Sequence, residues 1–358
     1  ASGTLTLLPG VKLRFNNGVN ITVYGTLNAV GTNASKITFT KNTVSWGGLH
    51  FQSGSTGNLQ YCIIEYATYG IYNVGTTPSL TNCTIQNCNN GYYGGSISTF
   101  TGNTVQNCQH GINLYNATTP QTIPSGNTIQ NNTDSGIYLS GCLDVTIGAN
   151  TIAGNPWPVK MDINSSLNAS SVIPTSGNTN NDIGVYGGGT SRAVTWPKFS
   201  LDYVIIGSPY IGASGTLTLL PGVKLRFNNG ANIMVYGTLS AVGTRANSIT
   251  FTKNAVSWSG LYFYAGSSGV LRYCNVDQAN YGIYCSGENT SLQISKCNIT
   301  ENNYGVYCIS GGNPLIGGSS ANRNIIAGNL TYGVHVVDAR VNPVNAEHNC
   351  WGSESGPR

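Results

Sequence analysis

The sequence predicts an all-β protein, a parallel β-solenoid of about 22 residues per coil with an internal duplication. Three observations carry this expectation. Charged residues make up only 8% of the chain, which holds 47 glycines and many Asn, Thr and Ser, whereas a domain of amphipathic helices carries roughly 25% charge. Short alternating segments recur at a near-constant advance. The opening phrase ASGTLTLLPGVKLRFNNG returns letter for letter at Ala213, and residues 1–72 and 213–284 align without a gap at roughly three quarters identity.

The coils read in order from Leu59: LQYCIIEYATYGIY, LTNCTIQNCNNGYY, TFTGNTVQNCQHGIN and IPSGNTIQNNTDSGIY. Each line has an Asn- or Cys-rich turn, a strand with period-two alternation, then Gly and an apolar residue. The glycine column runs Gly70, Gly91, Gly111, Gly136 and resumes as Gly282, Gly305, Gly333. Its simplest reading is a tight turn at positive φ. Paired Asn-Gly hairpin signals are missing, so the strands stack in parallel about 4.8 Å apart, and the chain has room for about sixteen coils. The duplication divides it into module 1, residues 1–212, lacking its opening strand, and module 2, residues 213–358, continuous with it.

SGTLTLLPGVKLRF, VYGTLNAVGT, GNTIQNNTDSGIYLSG and the terminal NCWGSESGP together resemble the right-handed, single-stranded parallel β-helix repeat proteins of secreted and cell-surface origin, the pectate-lyase-like superfamily. That resemblance covers nearly the whole chain. It implies a secreted or cell-surface location and leaves lyases, hydrolases, adhesins and surface proteins open. Both ends resemble interior cuts of a longer modular chain, with any export signal lying upstream.

Enzymes on such a fold gather carboxylates on neighbouring coils, two for hydrolysis or several with Ca²⁺ and a basic residue for a lyase. The chain has 12 carboxylates, and Asp134, Asp144, Asp162, Asp182 and Asp202 share no column. Asp277 and Glu301 fall at nearly equivalent places on successive coils with Arg272 and Lys296 close in register, a catalytic candidate or a solvated ion-pair patch. Module 1 has Glu65 for Asp277 but Gln60 for Arg272. His50, His110, His335 and His348 lack metal-ligand spacing, and no cofactor is expected, Ca²⁺ entering only with a lyase. A net charge of +4 without a basic run or stripe disfavours nucleic acid, and no apolar stretch is long enough for membrane insertion.

Ten cysteines form one-coil pairs: Cys62 with Cys83, Cys274 with Cys297, Cys88 with Cys108, and Cys285 with Cys308. Their spacing admits a disulfide although parallel side chains suit it poorly, and buried free thiols are the other reading.

The most suggestive pattern is aromatic. Tyr69, Tyr281, Tyr304 and Tyr332 precede the glycine column, and Tyr72, Tyr93, Tyr138, Tyr284 and Tyr307 follow it by two residues. With Ile71 and Ile283 pointing inward, alternation sends Tyr72 and Tyr284 outward. The phenols then bind sugar rings, pack on a neighbouring solenoid, or stack on one another. The expected role is a non-catalytic extracellular structural or adhesive solenoid, self-associating laterally or head-to-tail into a fibre or coat. A polysaccharide lyase, a glycoside hydrolase and a glycan-binding module are the alternatives.

Overall fold

The computed structural model describes residues 3–75, 77–117, 119–338 and 343–352. It forms a parallel β-solenoid of about 14 turns, each of about 23 residues. Fewer turns than the expected sixteen are made because some coils are longer, as where Thr26 stacks on Thr56 and Thr238 on Ser268. Among the described residues the helical content is one 3-10 turn, Ser320–Asn322, and no helix is long and apolar enough to cross a membrane.

Two compact units are present: Ala1–Met161 with Ser165–Ile183, and Asp162–Asn164 with Gly184–Arg358. In the first, successive coils supply one strand each to three parallel sheets. One sheet begins with Thr4–Leu7 and Thr26–Val30, the second with Lys12–Phe15 and Ile37–Lys41, the third with Asn20–Val23 and Trp46–Phe51. The second unit repeats the plan, Ala193–Trp196, Tyr203–Ile205 and Gly189–Thr190 each belonging to a different one of its three sheets. Register is held residue by residue: Thr84 pairs Thr104, Thr104 pairs Thr128, and Thr128 pairs Thr151.

Alternation sends Ile64, Ile85, Val105 and Ile129 into the interior, all fully buried. Aromatic plugs fill the wider parts of the coils. Phe15 stacks on Trp46 at 4.2 Å and Phe227 on Trp258 at 4.0 Å. Each indole N–H donates to a backbone carbonyl of the next coil, Trp46 to Glu65 and Trp258 to Asp277, both at 2.8 Å. No buried donor is left open at these plugs.

The corners between strands explain three of the four cysteine pairs. At each corner one residue takes a left-handed conformation, as at Asn82, Asn107, Asn131, Lys296 and Glu301. The N–H that follows needs a partner outside the sheet ladder. An asparagine on the next coil supplies it: Asn103 N–H donates to Asn127 Oδ1 at 3.0 Å and Asn127 N–H to Asn150 Oδ1 at 2.9 Å. A parallel ladder runs from Cys108 through Asn132 and Asn155 to Asn178. Three of the four cysteine pairs, Cys62 with Cys83, Cys88 with Cys108 and Cys274 with Cys297, are the early rungs of these ladders, whereas Cys285 and Cys308 pair inside the strands Ala279–Ser286 and Tyr304–Ile309. Cys83 N–H donates to Asn103 Oδ1 at 2.9 Å, and the Cys83 thiol donates to the Leu59 carbonyl just as the Asn103 amide donates to that of Leu80. In the second unit Cys274 and Cys297 lead into Asn324 and Asn349 in the same way. The ten cysteines are thiols, not disulfides, and nine are buried. Cysteine stands in for asparagine here as a smaller and weaker donor.

The glycine column corrects the expectation of a positive-φ turn. Gly70, Gly91, Gly111, Gly136, Gly282 and Gly305 lie within strands and none has positive φ. Close approach makes glycine necessary: a Cβ on Gly91 would sit 2.6 Å from the Gly111 carbonyl oxygen and 2.4 Å from Val105 Cγ1.

Candidate functional site

The glycine column positions the aromatic residues. Ile71 and Ile283 are fully buried, and the neighbouring Tyr72 and Tyr284 are half-buried on the outer side of the sheet. In the second unit the rings gather in two adjoining columns. Tyr281 contacts Tyr304 at 5.3 Å, and Tyr304 contacts Tyr332 at 6.1 Å. Beside them Tyr262 contacts Tyr284 at 4.8 Å, Tyr284 lies nearly parallel to Tyr307 at 5.5 Å, and Tyr307 meets His335 at 5.2 Å. Edge-to-face contacts knit the columns together, such as Tyr304 on Tyr307 at 5.3 Å and 80°. Tyr264 extends the strip to Tyr236.

This packing uses much of each ring's face on a neighbouring ring. What is left outward is mainly ring edge and phenol oxygen, with more ring surface at Tyr332 and Tyr236, which are 43% and 41% exposed. Burial first, then neighbouring phenols, pushes the Tyr307 hydroxyl above its ordinary range; burial and adjacent phenols do the same at Tyr262 and Tyr264. The outward atoms of the strip are phenol oxygens, and a phenol hydroxyl is both a donor and an acceptor.

The first unit carries a smaller cluster. Tyr69, Tyr72 and Tyr93 lie mutually within 5.4 Å, Tyr115 stacks on Tyr93 at 4.4 Å, and His50 abuts Tyr72 at 5.1 Å. Tyr138 does not adjoin Tyr93 along the strand ladder: Asn113 occupies the rung between them, and Tyr138 packs on His110 at 4.4 Å. Reading only the residues around each glycine missed Tyr262, Tyr264, Tyr115, His50 and His335. The signal for His50 and Tyr262 was the matched pair GLHF and GLYF in the duplicated block, one coil before Tyr72 and Tyr284.

The carboxylate candidate is divided between two corners. Arg272 and Lys296 lie over the Tyr273 ring, 5.5 and 5.2 Å from its centroid, at one end of the strand Cys274–Asp277. Asp277 and Glu301 stand toward the other end. Asp277 accepts from the Thr252 hydroxyl, and Glu301 accepts from the Gln278 amide at 3.2 Å. Burial raises the Asp277 carboxyl, the Thr252 hydrogen bond opposes this, and the Glu301 charge adds to the rise. Glu65, the matching residue of the first unit, accepts from Thr40 at 2.9 Å and Gln86 at 2.8 Å and begins a side-chain amide ladder through Gln106 to Gln130. These carboxylates tie one coil to the next. Among the described residues no three His, Cys, Asp or Glu side chains gather as a metal site requires.

Asp134 and Asp202, which lack column partners in the sequence, are ion-paired. Asp202 meets Lys224 at 3.1 Å and Arg226 at 3.0 Å, while Asp134 meets Lys160 at 2.7 Å and His110 at 3.2 Å. Burial raises the Asp134 carboxyl, but hydrogen bonds from His110 and Lys160 and their charges outweigh it, leaving the value at about 2 against an ordinary 3.8. Its stabilising contribution is present above the ordinary value and is lost as pH falls toward 2. An Asp134→Asn variant is expected to flatten the stability profile between about pH 4 and pH 2, measured by urea unfolding at each pH. An unchanged slope would show that this carboxylate does not govern acid sensitivity.

A family model described as a right-handed beta helix region matches residues 27–190 and 209–349. Neither the curated proteins nor the solved structures gave a match to the chain.

Proposed function

The chain belongs to the right-handed β-helix family, and from that premise we propose that it is a non-catalytic structural and adhesive solenoid of the cell exterior, touching polysaccharide through its tyrosine strip. One observation carries this reading. Rings from successive coils of the second unit pack into a single outward strip of phenols, at Tyr262, Tyr281, Tyr284, Tyr304, Tyr307 and Tyr332. Such a surface suits a polyhydroxylated chain, which can exchange hydrogen bonds with phenol oxygens and lay C–H groups on ring edges and end faces. The catalytic alternative loses support from the separation of Arg272 and Lys296 from Asp277 and Glu301 and from the structural hydrogen bonds the two carboxylates accept. Exterior location rests on the low-charge, amide- and hydroxyl-rich composition and on the resemblance of the coils to secreted β-helices.

The double variant Tyr284→Ala, Tyr307→Ala tests the reading. Retention on columns of neutral and acidic polysaccharide is expected to fall about tenfold, since two central contact residues are removed. Light scattering in parallel reads lateral self-association. Loss of thermal stability with retention unchanged would reduce the strip to internal scaffolding.

A further inference from the structure

One corner of the second unit carries a row of cations. Arg272 and Tyr273 lie where the strand Ser268–Arg272 turns into Cys274–Asp277, and Lys296 lies where Ser291–Ser295 turns into Asn298–Thr300. Arg245 stands in the preceding turn, between Thr238–Val242 and Ile249–Lys253, and Arg323 in the following one, before Ile325–Ala327. Backbone bonds stack these turns: the Gly243 N–H donates to the Arg272 carbonyl at 2.8 Å, Tyr273 to Ser295 at 3.2 Å and Lys296 to Asn322 at 3.2 Å. Lys198 heads the row two turns before Arg245, on the far side of Gly222, where an added Cβ would meet Lys198 Cδ at 2.7 Å and Asn247 Cβ at 3.5 Å. Lys198, Arg245, Arg272 and Arg323 are exposed and Lys296 is half-buried. No basic stripe is visible in the linear sequence because Arg245, Arg272, Lys296 and Arg323 are 24 to 27 residues apart. The fold sets them one coil, about 4.8 Å, from one another.

We propose that this corner is a second, non-catalytic binding site, which takes the anionic groups of a linear acidic polysaccharide. Arg272 and Lys296 converge on one ring, 5.5 and 5.2 Å from the Tyr273 centroid. The Lys296 hydrogen bond first, opposed by desolvation, and then the charges of Lys296 and Arg272 hold the Tyr273 hydroxyl below its ordinary range. No described carboxylate pairs with Lys198, Arg245, Arg272, Lys296 or Arg323, and Asp202, close to Lys198 in the chain, is taken by Lys224 and Arg226. Stacked like charges repel, and a polyanion relieves that repulsion. The first unit lacks the row: Asn33, Gln60, Asn82 and Gly102 hold the places of Arg245, Arg272, Lys296 and Arg323, and Lys36 is the cation at those turns. Guanidinium groups engage carboxylate or sulfate through two parallel hydrogen bonds. The corner lies between two sheets, whereas the tyrosine strip lies on the third, with Ala279–Ser286, so the two sites are separate. Polysaccharide rather than nucleic acid as the occupant rests on the exterior role proposed above.

The test gives the corner the chemistry of the first unit. Arg245→Asn, Arg272→Gln and Lys296→Asn install residues that the matching turns already carry, and asparagine suits the positive φ of Lys296, so the unfolding transition should stay intact. Fluorescent heparin, sulfated, and polygalacturonate, carboxylated, are titrated against the full chain by anisotropy from about 50 to 300 mM NaCl, with single-stranded DNA and neutral dextran in parallel. Saturable, salt-sensitive binding of at least one acidic polysaccharide is expected, the tighter of the two naming the anionic group. The triple variant should weaken it about tenfold or more at low salt and reduce the slope of log Kd against log salt by about two, with dextran binding unchanged. Absence of saturable binding would overturn the proposal, as would unchanged affinity and slope in the triple variant, or tighter binding of DNA than of either polysaccharide. Tyr284→Ala, Tyr307→Ala separates this site from the strip. Dextran binding reads the strip alone, and the salt slope for the acidic chains should survive the loss of both rings; a slope that collapses with the tyrosines would move the site away from the corner.

Discussion

Replacing Asn127 with alanine is expected to lower stability by roughly 3–5 kcal/mol, the sum of the buried polar groups it leaves without partners. Asn127 is 2% exposed. Its Oδ1 accepts from the Asn103 backbone N–H at 3.0 Å, and its Nδ2 donates to the Phe100 and Pro124 carbonyls, both at 2.9 Å. Alanine supplies none of these and opens a small void at the corner. Asn127→Cys is the discriminating companion. Because Cys83 fills a rung of the same ladder two coils earlier with a thiol, cysteine should recover about half of the loss. Urea unfolding measures both variants, and amide exchange at Asn103 reports the rung itself. Equal losses for alanine and cysteine, or an Asn103 amide that stays protected in the alanine variant, would refute the ladder account.

Gly91→Ala is expected to cost about 3 kcal/mol or more, or to prevent folding, because the added methyl has nowhere to go. Its nearest neighbours would be Val105 Cγ1 at 2.4 Å and the Gly111 oxygen at 2.6 Å. The oxygen belongs to the backbone of the next coil, so relief requires moving a whole strand. Gly95→Ala is the control. Its Cβ would lie 3.4 Å from the Tyr115 oxygen and its φ is not positive, so a change within about 0.5 kcal/mol is expected. Matching losses at both positions in unfolding experiments would show that crowding between coils is not what selects glycine at Gly91.

The architecture was legible in the sequence because a solenoid writes its period directly into the chain. Ile64, Ile85, Val105 and Ile129 repeat at the advance of one coil, and the structure stacks them in one line. The cysteine columns were equally visible, yet their meaning was not. Cys83 and Asn103 share a rung only once the left-handed corner before each is known, since that corner frees the N–H that both types of rung serve. The glycine column misled for a related reason: sequence cannot separate a residue chosen for backbone freedom from one chosen for lack of volume. Outward alternation at Tyr72 and Tyr284 was readable from Ile71 and Ile283. The contacts of the strip were not, because a single register position decides whether Tyr138 meets Tyr93 or finds Asn113 in between. Arg272 and Asp277 appeared neighbourly because they are close in sequence, but a strand between them carries them to different corners.

The strand pairings of this chain link each coil to the one before it and the one after it. A polypeptide with that property can be lengthened at the level of the gene. In-frame copying of a block that begins and ends at the same point of the coil delivers a new segment whose ladders, plugs and glycine contacts are satisfied by its neighbours on arrival. The repeated phrase beginning at Ala1 and again at Ala213 is such a block. Outward positions of its two copies change in character, His50 against Tyr262 and Gln60 against Arg272, while inside Phe39 and Phe251 stay identical and Ile64 is exchanged only for Val276. Length and surface chemistry can therefore be inherited separately, and recombination between blocks can change the reach of the molecule without redesigning its interior.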